Sequence, residues 1–304
     1  CSSDLPNSSI KGAGMTTRIQ KYIILAMLLP WLGACSTGQM VARTSTTIMD
    51  SNVEAMNRET DPALAEASMP ANLKLIEGLI QEDPNNAELL AYAAQGFYGY
   101  AFGFVELSDG QRAEALYGRG ADYGKRALQS LGLDIDLDNA TVEEIDVAVG
   151  KLRKRAVPAL FWTASNWAKQ IDLKRTDPTA IAQLPATERL MNRVLELQAD
   201  YYYGGAYVYY GVYYGSRAPM LGGDFAKSEH YFASANAVSD GKLLMVDVLR
   251  AEYLERQRLD QQQFHRLLTR VVDDPVGSFP EMALANQVAR ARAKYLLEKE
   301  ADWF

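Results

Sequence analysis

"DPNNAELLAYAAQGFYGY", residues 83–100, decides the fold. Asp83-Pro84 reads as a turn or a helix start, because Pro suits the first helical position and Asp the cap before it. Six residues after Pro84 comes Leu90, followed by Ala93, Ala94 and Phe97. Positions i, i+3, i+4 and i+7 share one helical face. Two small residues between a large one and an aromatic one let a second helix approach closely and grip the first.

That spacing recurs. Leu160, Thr163, Ala164 and Trp167 repeat it. Val246, Leu249, Arg250 and Tyr253 repeat it more loosely, six residues after Asp240, behind the spacing Ser228, Phe232 and Ala235 that suits the second helix of a pair. Tyr203, Ala206, Tyr207 and Tyr210 open another pair. Pairs of this kind define tetratricopeptide-type repeats. The starts are unevenly spaced, so the repeats are degenerate and carry insertions. From about Ile48 onward the apolar period is helical and strand-like alternation is scarce. Asp61-Pro62, Asp177-Pro178 and Asp274-Pro275 punctuate the rest. The expectation is an all-α, helical-repeat, tetratricopeptide-like solenoid forming a single domain over residues 48–304. A generic helical bundle shares the same periodicity.

Ahead of that domain lies "KYIILAMLLPWLGACSTGQ", residues 21–39. Its apolar run of eleven residues, Tyr22 to Leu32, is broken by Pro30. A spanning helix needs roughly 20. Arg18 and Lys21 supply a positive start, and Leu32-Gly33-Ala34-Cys35 resembles a bacterial lipobox. The expected layout is a lipoprotein signal peptide over 15–34, opened by Met15, with cleavage before a lipid-carrying Cys35. A flexible Ser/Thr/Gly-rich tether follows over 35–47. Residues 1–14, upstream of Met15, are expected to be an upstream extension that is not native. Ser36 after the anchor matches the outer-membrane sorting type of Gram-negative lipoproteins, which places the chain on the periplasmic side of that membrane. Lipid docks a chain without spanning the bilayer.

Composition narrows the function. The chain carries a net charge of −7 with no basic stripe, which argues against nucleic acid as a partner. Its two cysteines are Cys1 and Cys35, so a mature chain starting at Cys35 has no pair to oxidise. At 48% hydrophobic it has the apolar material for a core that needs no staple.

Chemical motifs fail one after another. "DIDLDNATVEEI", residues 134–145, opens like a calcium loop, yet Asn139 stands where the turn needs Gly and Ile145 where the bidentate Glu belongs. It reads better as a loop ending in the capping box Thr141 and Glu144. The two histidines, His230 and His265, lie outside any zinc spacing, and no G-x-S-x-G elbow is present. "GRGADYG", residues 118–124, is one residue off a dinucleotide fingerprint; its glycines are expected to bring two helices together. No catalytic residue, metal site or cofactor is expected, and the chain is not expected to be an enzyme.

The tyrosines stand out. Eight of the fourteen residues from Tyr201 to Tyr214 are Tyr. On a helix, Tyr203, Tyr207, Tyr210 and Tyr214 share one face, and Tyr202, Tyr209 and Tyr213 another. Two large aromatic faces exceed what one helix usually buries, and each phenol wants a hydrogen-bond partner. Tyr203, Tyr207, Tyr210 and Tyr214 are therefore candidates to line a groove or pore, with Gly204, Gly205 and Gly211 packed behind. Inter-repeat core with hydroxyls at the rim is the alternative. Trp162 and Trp167 are further candidates for groove or core.

"DPALAEASMPANLKLIEGLIQEDPNNAELLAYAAQGFYGYAFGFVE" (61–106) resembles the opening of the T-component family of TRAP transporters, called TatT. "PALFWTASNWAKQID" (158–172), the glycine pair in "RAPMLGGDFAKSEHYFASA" and the ending "LANQVARARAKYLLEKEADWF" are similar to that family's later segments. The match departs in the tyrosine-dense stretch and over residues 130–155. The resemblance implies an all-helical periplasmic lipoprotein that works beside the solute-binding protein of a tripartite transporter and aids uptake of an organic acid or hydrophobic ligand. A tetratricopeptide scaffold for outer-membrane protein assembly, or for another envelope complex, shares the lipobox and repeats. A homo-oligomer is a further expectation, a trimer among the options, because unpaired repeat faces need cover.

Overall fold

The computed structural model describes residues 37–304, and among them every regular element is a helix. Cys35 and the expected signal peptide lie outside the described residues. Helix α1 (Thr37–Thr44) and α2 (Thr46–Asn57) precede α3 (Pro62–Glu82). The stretch expected as a flexible tether is thus helical from Thr37. Ala42 is fully buried and Arg43 Nε donates to Asp83 Oδ2 at 3.1 Å, so α1 has a packing face on the α3 side.

Four hairpins follow. Helix α4 (Ala87–Tyr100), extended by a π-helical turn at Ala101–Val105, pairs with α5 (Gly110–Ser130). After the short α6 (Val142–Val149), α7 (Val157–Leu173) pairs with α8 (Leu184–Gln198), and α9 (Tyr201–Gly215) with α10 (Phe225–Val238). Helix α11 (Met245–Arg250), extended by a second π-helical turn at Ala251–Glu255, pairs with α12 (Gln261–Asp273). Helix α13 (Ala283–Glu298) closes the array against α11 and α12. The four spacings read from sequence fall one on each leading helix, α4, α7, α9 and α11. In these sets Leu90, Ala93, Ala94, Phe97, Leu160, Thr163, Ala164, Trp167, Ala206, Tyr210, Val246, Leu249 and Tyr253 are buried.

Local chemistry explains the boundaries. Asp61 caps α3 by accepting from Ala63 N at 2.9 Å, with Pro62 at the first helical position, and Asp177 caps the turn after it in the same way. At residues 83–86 the roles differ: Asp83-Pro84 makes the turn and Asn86 caps α4. The capping box Thr141–Glu144 starts α6, with bonds of 2.8 and 3.2 Å. Each such cap stabilises its helix by about 1 kcal/mol.

Small residues set how closely the helices approach. A Cβ on Gly124 of α5 would lie 2.2 Å from Thr163 Oγ1, and one on Gly120 2.2 Å from Asn166 Oδ1. The glycines of "GRGADYG" therefore seat α5 on α7. Gly211 does the same for α9 and α10, where a Cβ would meet Phe232 at 2.8 Å.

Contacts between hairpins fix their direction. Asn166 Nδ2 donates to Ala94 O at 2.9 Å, and Lys169 reaches Glu106 at 2.9 Å, further along both α7 and the α4 helix with its π-helical extension. Asn286 accepts from Leu244 N at 3.0 Å, and Arg292 reaches Glu252 at 2.8 Å, further along both α13 and α11. The leading helices run parallel, so their C-terminal ends gather at one end of the molecule.

Candidate functional site

A cavity of about 760 Å³ lies among these parallel helices. Helices α4, α7, α9, α11 and α13 all contribute to its wall, α2 and α3 cover it, and none of α5, α10 and α12 reaches it. The repeat layout explains this division: the leading helix of each hairpin faces inward, and of the second helices α8 alone touches the cavity, through Leu184 at its first position.

The wall is graded along the helix axes. Towards the helix N-termini it is aromatic and aliphatic, with Phe161, Trp162, Tyr202, Met245 and Val246, and Tyr98 of α4 packs on Trp162 there. The rings pack edge-on: Trp162 and Tyr202 lie 4.8 Å apart at 75°, and Phe161 and Trp162 4.8 Å apart at 79°. Such pairs add about 1 kcal/mol each beyond their buried area. Towards the C-termini the wall becomes charged, with Lys169, Asp172, Arg175 and Arg217, and with Tyr253 and Gln257 beside them.

Behind that charged end is a buried network. Lys169 Nζ lies 2.9 Å from Glu106 Oε1, 3.2 Å from Asp172 Oδ2 and 3.1 Å from the Tyr253 hydroxyl. The Tyr253 hydroxyl donates to Asp172 Oδ2 at 2.7 Å, and Arg175 pairs with the other oxygen of Asp172. Arg292, only 3% exposed at its side chain, bridges Glu106 at 2.9 Å and Glu252 at 2.8 Å. Tyr117 also donates to Glu106. Three cations thus meet three carboxylates, and the network ties α4, α7, α11 and α13 together. Phe102 sits beneath it, 4.8 Å from the Arg292 guanidinium.

Both π-helical turns lie at this charged end. A π turn inserts one residue and so rotates the rest of the helix face. The first sets Phe102, Gly103 and Phe104 in the wall and leads into Glu106; the second carries Glu252 and Tyr253. No periodicity in the sequence announces them.

Titration follows from this geometry. Burial pushes the Glu106 carboxyl up, but Lys169 and Arg292 outweigh it and hold it below the ordinary value. Asp172 is lowered likewise, against its burial, by Lys169 and Arg175. Burial disfavours the ammonium of Lys169, yet Glu106, Tyr253 and Asp172 hold it well above its usual range. Among the phenols, burial pushes Tyr98 up to about 12 and raises Tyr202, Tyr209 and Tyr253 further. Each of these shifts moves away from neutrality. Acid–base chemistry wants groups poised near the working pH, and these groups are moved away from it.

At the apolar end the backbone is unusual. Tyr202 (φ 48°, ψ 51°), Tyr203 (φ 55°, ψ 40°) and Gly204 (φ 79°, ψ 28°) are consecutive left-handed residues at the start of α9. For a side-chain-bearing residue that conformation costs about 1–2 kcal/mol. Packing holds it: Tyr202 is wedged against Trp162 and Phe161, while Tyr203 meets Phe279 at 5.0 Å and 81°.

The sequence-derived candidates separate in space. Trp162 lines the cavity. Trp167 lies in a smaller polar recess between α5 and α7, its Nε1 donating to Gln183 Oε1 at 2.9 Å and Lys125 4.3 Å over its ring. Tyr203, Tyr207, Tyr210 and Tyr214 are absent from the cavity wall; the last three gather around Tyr231 of α10 at centroid distances of 6.4, 5.0 and 5.9 Å. Tyr202, Tyr209 and Tyr213, the other tyrosine face, line the cavity. Helical spacing defines both faces, but it does not say which one turns inward. Lys169 and Asp172 escape sequence reasoning too, because charged residues on a helix usually mark a solvated face.

Among the described residues no helix is long and apolar enough to cross a membrane. A comparison with curated proteins finds no match. The family model of the TRAP transporter T-component, TAtT, matches residues 58–304, which takes in every helix that walls the cavity except α2. The chain therefore belongs to the TRAP transporter T-component family.

Proposed function

We propose that this chain is a periplasmic, lipid-anchored accessory of a TRAP transport system, held at the outer membrane through Cys35. It docks the transporter's solute-binding protein and holds an organic acid or hydrophobic ligand on its way into the cell. The cavity carries this reading: about 760 Å³ of largely apolar space, within the range of small-molecule sites, walled by helices that all belong to the family match except α2. Degenerate tetratricopeptide-like repeats supply the scaffold, since stacked helix pairs form extended surfaces for a protein partner.

Crosslinking in intact cells, followed by solubilisation and pull-down, tests the partner. A TRAP solute-binding protein recovered in proportion to crosslinker supports the reading. Recovery of outer-membrane insertion machinery in its place sinks it and favours an assembly scaffold.

A further inference from the structure

The cavity wall contains three cations, and they are not equivalent. Lys169 and Arg175 are each within ion-pair distance of Asp172, and Lys169 of Glu106 as well. Arg217 has no carboxylate within that distance among the described residues. It follows α9, is partly buried, and its guanidinium stacks 4.3 Å from the centre of the Tyr213 ring, which also lines the cavity.

Helix capping accounts for part of Arg217. One Nη2 donates to Tyr213 O at 2.8 Å, satisfying a carbonyl at the end of α9. A guanidinium has five N–H donors, and Arg217 Nε is buried with no hydrogen-bond partner in the structure. Nε is sealed from the cavity, whereas Nη1 makes no hydrogen bond among the described residues and is not sealed, so Nη1 is the donor that an oxyanion entering the cavity can reach. Stacking on Tyr213 fixes the plane of the fork and leaves its edge for a carboxylate or similar oxyanion.

The surroundings define the rest of that molecule. Leu221, in the same connection between α9 and α10, lines the cavity and is 68% exposed, so the cavity opens to solvent beside Arg217. Gln257 Nε2 donates to Ser216 O at 3.3 Å and closes the polar rim. Beyond the rim the wall is Val208, Val212, Leu249 and the aromatic end around Trp162. Lys169 and Arg175 are already neutralised by acids of the fold. One unengaged cation at the mouth and an apolar interior suit one negative charge at the end of an apolar body.

We infer that Arg217 anchors the acid group of an amphipathic monoanion whose apolar body runs into the cavity toward Trp162 and Tyr202. This inference rests on the ligand-holding reading above and sharpens it. A dicarboxylate is disfavoured, because its second charge would face the aromatic wall.

Two fluorescent probes separate the inference from its foundation: 11-(dansylamino)undecanoic acid, an apolar chain with a carboxylate, and N-phenyl-1-naphthylamine, which is neutral. In the full-length chain both bind. Arg217→Met weakens the carboxylate probe about tenfold, as expected for one charge-assisted contact; Arg217→Lys restores part of the loss; the neutral probe changes by less than about twofold. A second readout needs no variant. On the parent protein, decanoate displaces the neutral probe at about tenfold lower concentration than decanol, although decanol is the more hydrophobic. Equal displacement by decanoate and decanol, or a carboxylate probe indifferent to Arg217→Met, overturns the anchor and leaves the cavity reading standing. Failure of both probes to bind the parent overturns the cavity reading and the anchor with it.

Discussion

Glu106→Gln is the sharpest test of the buried network. The substitution keeps the size and one acceptor of the side chain but removes the charge that Lys169 and Arg292 share at 2.9 Å each. Removing one partner of a buried ion pair costs about 3–5 kcal/mol when the other is stranded. Here neither cation is stranded. Lys169 keeps Asp172 at 3.2 Å, and Arg292 keeps both oxygens of Glu252 at 2.8 Å. The cost is therefore below that range, about 2–3 kcal/mol, comparable to losing one or two hydrogen bonds to a charged group. At roughly 2–4 °C per kcal/mol for a domain of this size class, melting should fall by about 5–10 °C. Urea unfolding followed by circular dichroism at 222 nm, at pH 7.5, measures it as a lowered midpoint with unchanged slope. Adding Arg292→Met to Glu106→Gln should lose less than the two single losses added, because the two residues share one contact. A Glu106→Gln midpoint within about 0.5 kcal/mol of the parent would refute the claim that this network braces the inner helices.

The same network sets a pH window. Glu106 and Asp172 are lowered in the folded state, so their contribution is present above the unfolded carboxylate values and is lost as pH falls through the folded ones; Lys169 is raised, so its contribution is full below its unfolded value and is lost on the far alkaline side. Stability in buffered urea should hold through neutrality and fall steeply below about pH 4, with a shallower acid limb in Glu106→Gln. Glycine contacts give an opposed pair. Gly124→Val should cost more than about 2 kcal/mol, as its Cβ meets Thr163 within 3.0 Å through backbone as well as side chain, whereas Gly78→Ala, which meets nothing within 4 Å near the C-terminal end of α3, should gain about 0.5–1 kcal/mol. Urea midpoints for the two variants should move in opposite directions. Tyr202→Ala removes the ring that packs on Trp162 and Phe161, so a loss of about 3–5 kcal/mol is expected, read as a drop in melting temperature.

Much of the architecture is legible in residues that repeat. Leu90, Ala93, Ala94 and Phe97 announce α4 and its packing face, and Leu160 to Trp167 announce α7, because close helix pairing demands small residues at fixed positions. The site is less legible for three physical reasons. Tyr203 and Tyr202 stand on opposite sides of the tyrosine stretch, and only tertiary packing, on Phe279 for Tyr203 and on Trp162 for Tyr202, tells which side is which. The π-helical turns that deliver Phe102 and Tyr253 break the period that sequence reading relies on. Lys169, Glu106 and Arg292 stand as far as 186 residues apart, and a charge looks the same in a string of letters whether it faces water or a buried partner. Arg217 follows the tyrosine helix and its meaning comes only from the carboxylates that are not near it.

If the space between the inner helices holds a ligand, a fluorescence titration of the parent protein and of Val208→Trp with N-phenyl-1-naphthylamine shows it. Val208 lines the cavity from α9, and a ring there would fill part of its roughly 760 Å³. Saturable binding by the parent and at least a tenfold loss in Val208→Trp are expected, with circular dichroism and melting temperature close to the parent's. Equal affinity in the two proteins, or no saturable binding by the parent, would contradict the ligand-holding reading.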